Sequence, residues 1–202
     1  MKKLVVFFSL TLISSLVSFK GFSQSTLTVL GTYGSTSQSS ASKGIYGGGA
    51  QYRYFVKPNV AVGVSGKYLM EELSRELSAK TIRGKATTIP VNLLAEYYFK
   101  TEGIRPYAGI EAGLNILKIE GYNIPSDQTV VRPGLMPKAG IVLPMGKRLS
   151  FMAEASYQVV LGSQNALLMD PLKAGDNKYV VKNSRQAVTI SGGITYIFGK
   201  KK

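Results

Sequence analysis

The chain contains no cysteine, no histidine and no tryptophan. Without cysteine there is neither a disulfide framework nor a thiol for lipid attachment at the amino end, so stability has to come from another source. Without histidine, the hydrolase and acyltransferase chemistries that rely on an imidazole base have no base. With both residue types missing, a transition-metal site loses its usual donors, and no metal or cofactor is expected. Long apolar runs are equally scarce. The one present, residues 4–17, is about 14 residues with serine and threonine inside it, against the roughly 20 that a spanning helix needs.

That run has the layout of a secretory signal peptide: Lys2 and Lys3 precede it, and the small-x-small sequence Gly21-Phe22-Ser23 follows it, just before Gln24. Residues 1–23 are therefore expected to be removed, leaving residues 24–202 as a single domain. What is abundant is glycine (22) and tyrosine (12), a β-rich composition. Period-2 alternation marks eight runs, at about 25–34, 45–55, 60–70, 86–98, 106–118, 135–143, 149–161 and 186–198. Each is close to the 9 to 11 residues that a tilted strand needs to cross a bilayer. The intervals alternate in length. Residues 35–44, 71–85, 119–134 and 162–185 are long, whereas "VKPN", "KTEGIR" and "PMGKR" are short. Long loops on one side, with short turns and both termini on the other, predict an all-β fold: an eight-stranded antiparallel up-and-down transmembrane β-barrel with short periplasmic turns and long extracellular loops.

The two faces of the strands agree with this. One carries residues such as Leu27, Val29, Val62, Val64, Leu93, Ile110, Leu114, Ile141 and Ile190, and holds no charge. The other is mostly Gly, Ser, Thr and Asn, with the ions Arg53, Lys67, Lys138, Glu96, Glu111 and Glu154, whose charges cancel. An eight-stranded barrel is just narrow enough for side chains to fill it, so this polar cluster is expected in the lumen. Counting from the short turns puts Glu111, Lys138 and Glu154 at similar heights, with Lys138 placed to bridge both carboxylates. Buried ions need such partners. Aromatic residues gather near strand ends and are expected to form two interfacial belts: Tyr54, Tyr97, Phe99, Tyr107, Phe151, Tyr196 and Phe198 by the short turns, with Phe55 and Tyr98 beside them, and Tyr33, Tyr46, Tyr68 and Tyr157 by the long loops.

The segment "TTIPVNLLAEYYFKTEGIRPYAGIEAGLNILK", with Ile89-Pro90, Tyr97-Tyr98-Phe99 and Arg105-Pro106-Tyr107-Ala108-Gly109, followed by "MPKAGIVLPMGKRLSFMAEASYQ", resembles the outer-membrane β-barrel family of small porin-like proteins of Bacteroidota type, related in shape to the OmpA, OmpX and OmpW barrels. The resemblance covers essentially the whole chain after residue 23. It implies a place in the outer membrane, outer-membrane lipids as neighbours and insertion by the barrel-assembly machinery, which usually reads an aromatic last strand. Here Tyr196 and Phe198 keep that alternation, but "GKKK" follows Phe198.

Charge is unevenly spread. Once Lys2, Lys3 and Lys20 are set aside, 22 basic residues face 11 acidic ones. Lys57, Lys100, Arg105, Lys147, Arg148, Lys200, Lys201 and Lys202 fall on the short-turn side against Glu102 alone. That rim is suited to anionic lipid or to an acidic periplasmic partner. Nucleic acid is not an expected partner, since no recognition fold is visible. The carboxylates of "EELSRELSAKTIRGK", Glu71, Glu72 and Glu76, are expected in a solvated loop with a short helix, and "GIYGGG" has no helix after it and is no phosphate loop. The expected function is that of a non-enzymatic barrel with a plugged lumen and a structural or surface-interaction role, its loops meeting an extracellular ligand or its turns a periplasmic partner. Narrow transport of small or hydrophobic solutes is the alternative, and a soluble lipocalin-like ligand binder a further one. The last requires an outer surface of Gly, Ser and Thr with few charges, unlike ordinary soluble surfaces.

Overall fold

The computed structural model describes residues 24–36, 42–77, 80–121, 128–161, 165–169, 178–182 and 186–199. The expected signal peptide lies outside them. The elements are β1 (Ser25–Thr36), β2 (Ser42–Lys57), β3 (Val60–Leu77), β4 (Lys80–Tyr98), β5 (Arg105–Gly121), β6 (Gln128–Pro144), β7 (Leu149–Val160), β8 (Asn165–Met169), β9 (Lys178–Lys182) and β10 (Gln186–Phe198).

Eight of these strands close into a barrel in the order β1-β10-β7-β6-β5-β4-β3-β2. Every pairing is antiparallel, and β1 meets β10 from Ser25↔Phe198 to Thr36↔Ala187, which abolishes both sheet edges. No helix occurs among the described residues. Short turns join β2 to β3 at Pro58 and Asn59, β4 to β5 across residues 99–104, and β6 to β7 across residues 145–148, all at the end that carries Ser25 and Phe198. Gly103 in the β4–β5 turn has φ 62°, a left-handed conformation that glycine adopts without a Cβ clash.

Side chains alternate between the two faces, most regularly in β10. In β10 every second residue from Ala187 to Ile197 is buried and the others are exposed. The exposed set is apolar: Val29, Val64, Leu93, Leu114 and Ile190 all stand outward. A surface of this kind suits hydrocarbon, while the closed ladder pairs the backbone of each barrel strand with a neighbour on both sides.

The connections at the far end differ from expectation. Residues 71–85 were expected to form a loop with a short helix, but β3 and β4 remain paired from Glu71↔Ala86 to Leu77↔Lys80. The β5–β6 ladder likewise continues to Ile119↔Gln128, and the 162–185 interval holds a separate two-stranded sheet, β8-β9. The physical reason is that the apolar alternation records contact with hydrocarbon, whereas backbone pairing has no such requirement. Beyond the apolar band the ladder continues while the sequence loses its apolar alternation.

Candidate functional site: an ionic layer that fills the lumen

The barrel interior is layered. At the short-turn end Leu30, Phe55, Ala61, Tyr98, Tyr107, Val142 and Met152 form one apolar cluster. Toward the other end Ile45, Leu69 and Ala187 form a second. Between them lie the charges.

Lys138 on β6 is the centre. Its Nζ lies 2.7 Å from Glu96 Oε1, 2.7 Å from Glu111 Oε1 and 3.1 Å from Glu154 Oε2. Sequence reasoning expected Glu111 and Glu154 around this ammonium; the structure adds Glu96. Two further cations complete the balance: Arg53 Nε sits 2.7 Å from Glu96 Oε2, and Lys67 Nζ 3.3 Å from Glu154 Oε1. The side chains of Lys138, Glu96, Glu111 and Glu154 are 0% exposed, so not even water touches them.

Neutral donors occupy the remaining lone pairs. Glu111 Oε2 accepts from Ser65 Oγ at 2.6 Å and from Asn92 Nδ2 at 3.1 Å, and Gln51 Nε2 donates to Oε1 of both Glu111 and Glu154 at 3.3 Å. Arg53 spends its other nitrogens on Thr28 Oγ1 at 2.7 Å, on Gln51 Oε1 and on Met152 Sδ. Such saturation is what makes a buried ionic network tolerable, because any unpaired member would carry its full desolvation penalty.

Glycine makes the room. Arg53 is paired directly with Gly63 and Lys67 with Gly49, while Glu96 is paired with Gly109 and Asn92 with Gly113. A Cβ at Gly49 would stand 2.8 Å from Lys67 Cγ, and one at Gly109 the same distance from Glu96 Cγ. Arg53, Lys67, Glu96 and Asn92 thus each lean over a neighbour that has no side chain.

Three aromatics expected in the short-turn belt lie inside instead. Tyr107, Tyr98 and Phe55 are 1–2% exposed. Tyr107 has the same parity on β5 as Glu111, so the alternation turns it inward, where its hydroxyl donates to Glu154 Oε2 at 2.8 Å. Tyr98 donates to Glu96 Oε2 at 2.8 Å, and its ring packs 5.2 Å from those of Phe55 and Tyr107. The other aromatics assigned to belts, Tyr33, Tyr46, Tyr68, Tyr97, Phe99, Phe151, Tyr157, Tyr196 and Phe198, stand exposed on the outer face, with Tyr54 half-buried there. Glu71 also departs from expectation: it is buried at the far end of the lumen and accepts from Thr36 Oγ1 at 3.1 Å.

Removing one of these hydroxyls tests the wiring. Tyr107→Phe should lower unfolding stability by about 1–3 kcal/mol, the usual cost of stranding a buried acceptor. Tyr97→Phe on the outer face should change it by no more than about 0.5 kcal/mol. Equal urea midpoints for the two variants, measured in lipid vesicles, would count against a structural role for the Tyr107 hydroxyl.

A closed antiparallel barrel with an apolar wall and a polar, ion-paired interior is the architecture of a transmembrane β-barrel. The family described as outer membrane protein beta-barrel domain matches residues 7–198, and the chain belongs to it. Among solved structures, the fold is similar to the outer membrane protein OprG of Pseudomonas aeruginosa, with TM-score 0.60, 12% identity and coverage of 89% of this chain and 98% of OprG. It is also similar to Neisserial surface protein A, with TM-score 0.55, 16% identity and coverage of 87% and 96%. Ail, the attachment invasion locus protein of Yersinia pestis, gives TM-score 0.51, 17% identity and coverage of 87% and 99%. At these identities the likeness is one of fold. No curated relative matches the sequence.

Proposed function

We propose that this protein is a non-conducting, non-enzymatic barrel of the outer membrane, exported by its amino-terminal signal peptide, whose interior is a structural plug and whose contacts with other molecules are made at its ends. The observation that supports this most directly is the lumen cross-section at Lys138, where an ammonium and its carboxylates leave no surface accessible to water. A transport path would have to pass this layer and the apolar clusters on both sides of it. Catalysis by the lumen carboxylates is equally disfavoured, because groups with no accessible surface cannot touch a substrate. In this orientation the short turns face the periplasm, and the hairpins continuing β3–β4 and β5–β6 stand on the outside as the surface for partners.

Planar-bilayer recording tests the plug. The purified full-length barrel should show no steady conductance above the bare bilayer at moderate voltage. Stable single-channel steps that scale with salt concentration would overturn the proposal and favour narrow transport.

A further inference from the structure

The β6–β7 turn and the wall beside it combine two features that recur in a binding site for a charged lipid. Lys147 and Arg148 are exposed there, and among the described residues neither has a carboxylate within ion-pair distance. Glu102, the acidic residue of this rim, belongs to a different turn. Arg148 is nevertheless held in place. Its backbone carbonyl accepts from Ile197 N at 2.8 Å, which ties the turn to β10. Its guanidinium NH1 donates to the Tyr196 hydroxyl at 3.3 Å, and among the described residues its other nitrogens have no acceptor.

Below these cations the outer wall is apolar. Leu149 is paired with Tyr196 across the β7–β10 seam. Leu149, Tyr196, Phe198 and Phe151 are all exposed on the outer face, and Tyr196 and Phe198 pack edge to face at 4.9 Å. Tyr196 therefore has its ring in the apolar band and its hydroxyl on the cation, the position of an amphipathic ring at headgroup depth. A phosphate at that depth would meet the free guanidinium nitrogens of Arg148 and the ammonium of Lys147. Its acyl chains would then run down over Leu149 and Tyr196 to Phe151 and Ile194, the next outward pair along the seam.

We infer that this seam binds an anionic phospholipid, with Lys147 and Arg148 on the headgroup and the wall of Leu149, Tyr196, Phe151 and Ile194 on the chains. The inference rests on the membrane reading proposed above. It favours lipid over a soluble acidic partner because Arg148 is tied to a ring of the lipid-facing wall, at the level where phosphates are densest. Phosphatidylglycerol is preferred over phosphatidylcholine because two uncompensated cations prefer a net negative headgroup.

The test is the association of spin-labelled phosphatidylglycerol and phosphatidylcholine with the full-length protein folded into phosphatidylcholine vesicles, with the motionally restricted fraction as readout. Folding is checked separately by the heat-dependent shift in gel mobility. Each cation near a headgroup is worth about fivefold at most, so about threefold or greater selectivity for phosphatidylglycerol is expected at low salt. It should fall toward unity in the Lys147→Gln/Arg148→Gln double variant and remain in Lys85→Gln, which removes a charge at the opposite end. Selectivity near unity in a barrel that shows the heat shift, or selectivity unchanged in the double variant, would overturn the lipid site while leaving the membrane reading intact. A wild-type protein that never shows the shift would overturn both.

Discussion

Lys138→Met should be the most damaging single substitution in the barrel, lowering unfolding stability by about 3–5 kcal/mol, the range for breaking a buried ion pair from one side. The reason lies in what is left behind. Glu96 retains Arg53 and Glu154 retains Lys67. Glu111 retains only the neutral donors Ser65, Asn92 and Gln51. Its charge would then be buried without a cation in ion-pair contact, a state more costly than having no charge at all. This singles out the compensating change: adding Glu111→Gln to Lys138→Met should recover part of the loss, because it restores the neutrality of the layer. The measurement is a urea unfolding series in vesicles on wild type, both single variants and the double, with the midpoint compared at constant slope. A double variant whose loss equals the sum of the singles would show that Lys138 and Glu111 are not coupled.

Gly109→Ala should also be damaging. Gly109 sits between Glu96 on β4 and Lys138 on β6, paired with both. A Cβ there would lie 2.6 Å from the carbonyl oxygen of Ala95 and 2.8 Å from Glu96 Cγ. The first of these is backbone held in the wall, so relief has to come from the Glu96 side chain, which is already fixed by Arg53 and Tyr98. Overpacking of this kind costs about 1–3 kcal/mol. Gly66, on β3, provides the control: a Cβ there meets nothing within 4 Å, and Gly66→Ala should stay within about 0.5 kcal/mol of wild type. Comparable losses for the two would mean that the lumen glycines are not there for space.

The contrast between these glycines shows how much of the site could be seen in the chain and how much could not. The six ions could be assigned to one interior because period-2 alternation puts Glu111 with Gly109 and Gly113, and Glu96 with Asn92 and Leu94, on the face opposite the apolar one. The same alternation, applied to the aromatics, would have turned Tyr107, Tyr98 and Phe55 inward. Proximity to a strand end was the weaker signal, and it misplaced them. The partnership of Arg53 with Glu96 could not be read along the chain, since it joins side chains of β2 and β4 across the interior. Nor could the neutral donors Ser65, Asn92 and Gln51 be told from any other small polar residue of the inner face.

The far end of the barrel reverses the balance. The ladder from Glu71↔Ala86 to Leu77↔Lys80 leaves no apolar alternation in the sequence, because outside hydrocarbon an outward side chain meets water whichever residue it is. The number of barrel strands, their parity, the identity of the apolar wall and the presence of an inner ionic set were determined by the sequence alone, since each follows from a local rule: a side chain every second residue, and a bilayer that tolerates no unpaired backbone. Which ion meets which, how far the hairpins reach and which aromatics fill the lumen were decided only by the closed tertiary structure. Closure brings strands remote in the chain across an interior one side chain wide, and contacts made across that interior leave no periodicity along the chain.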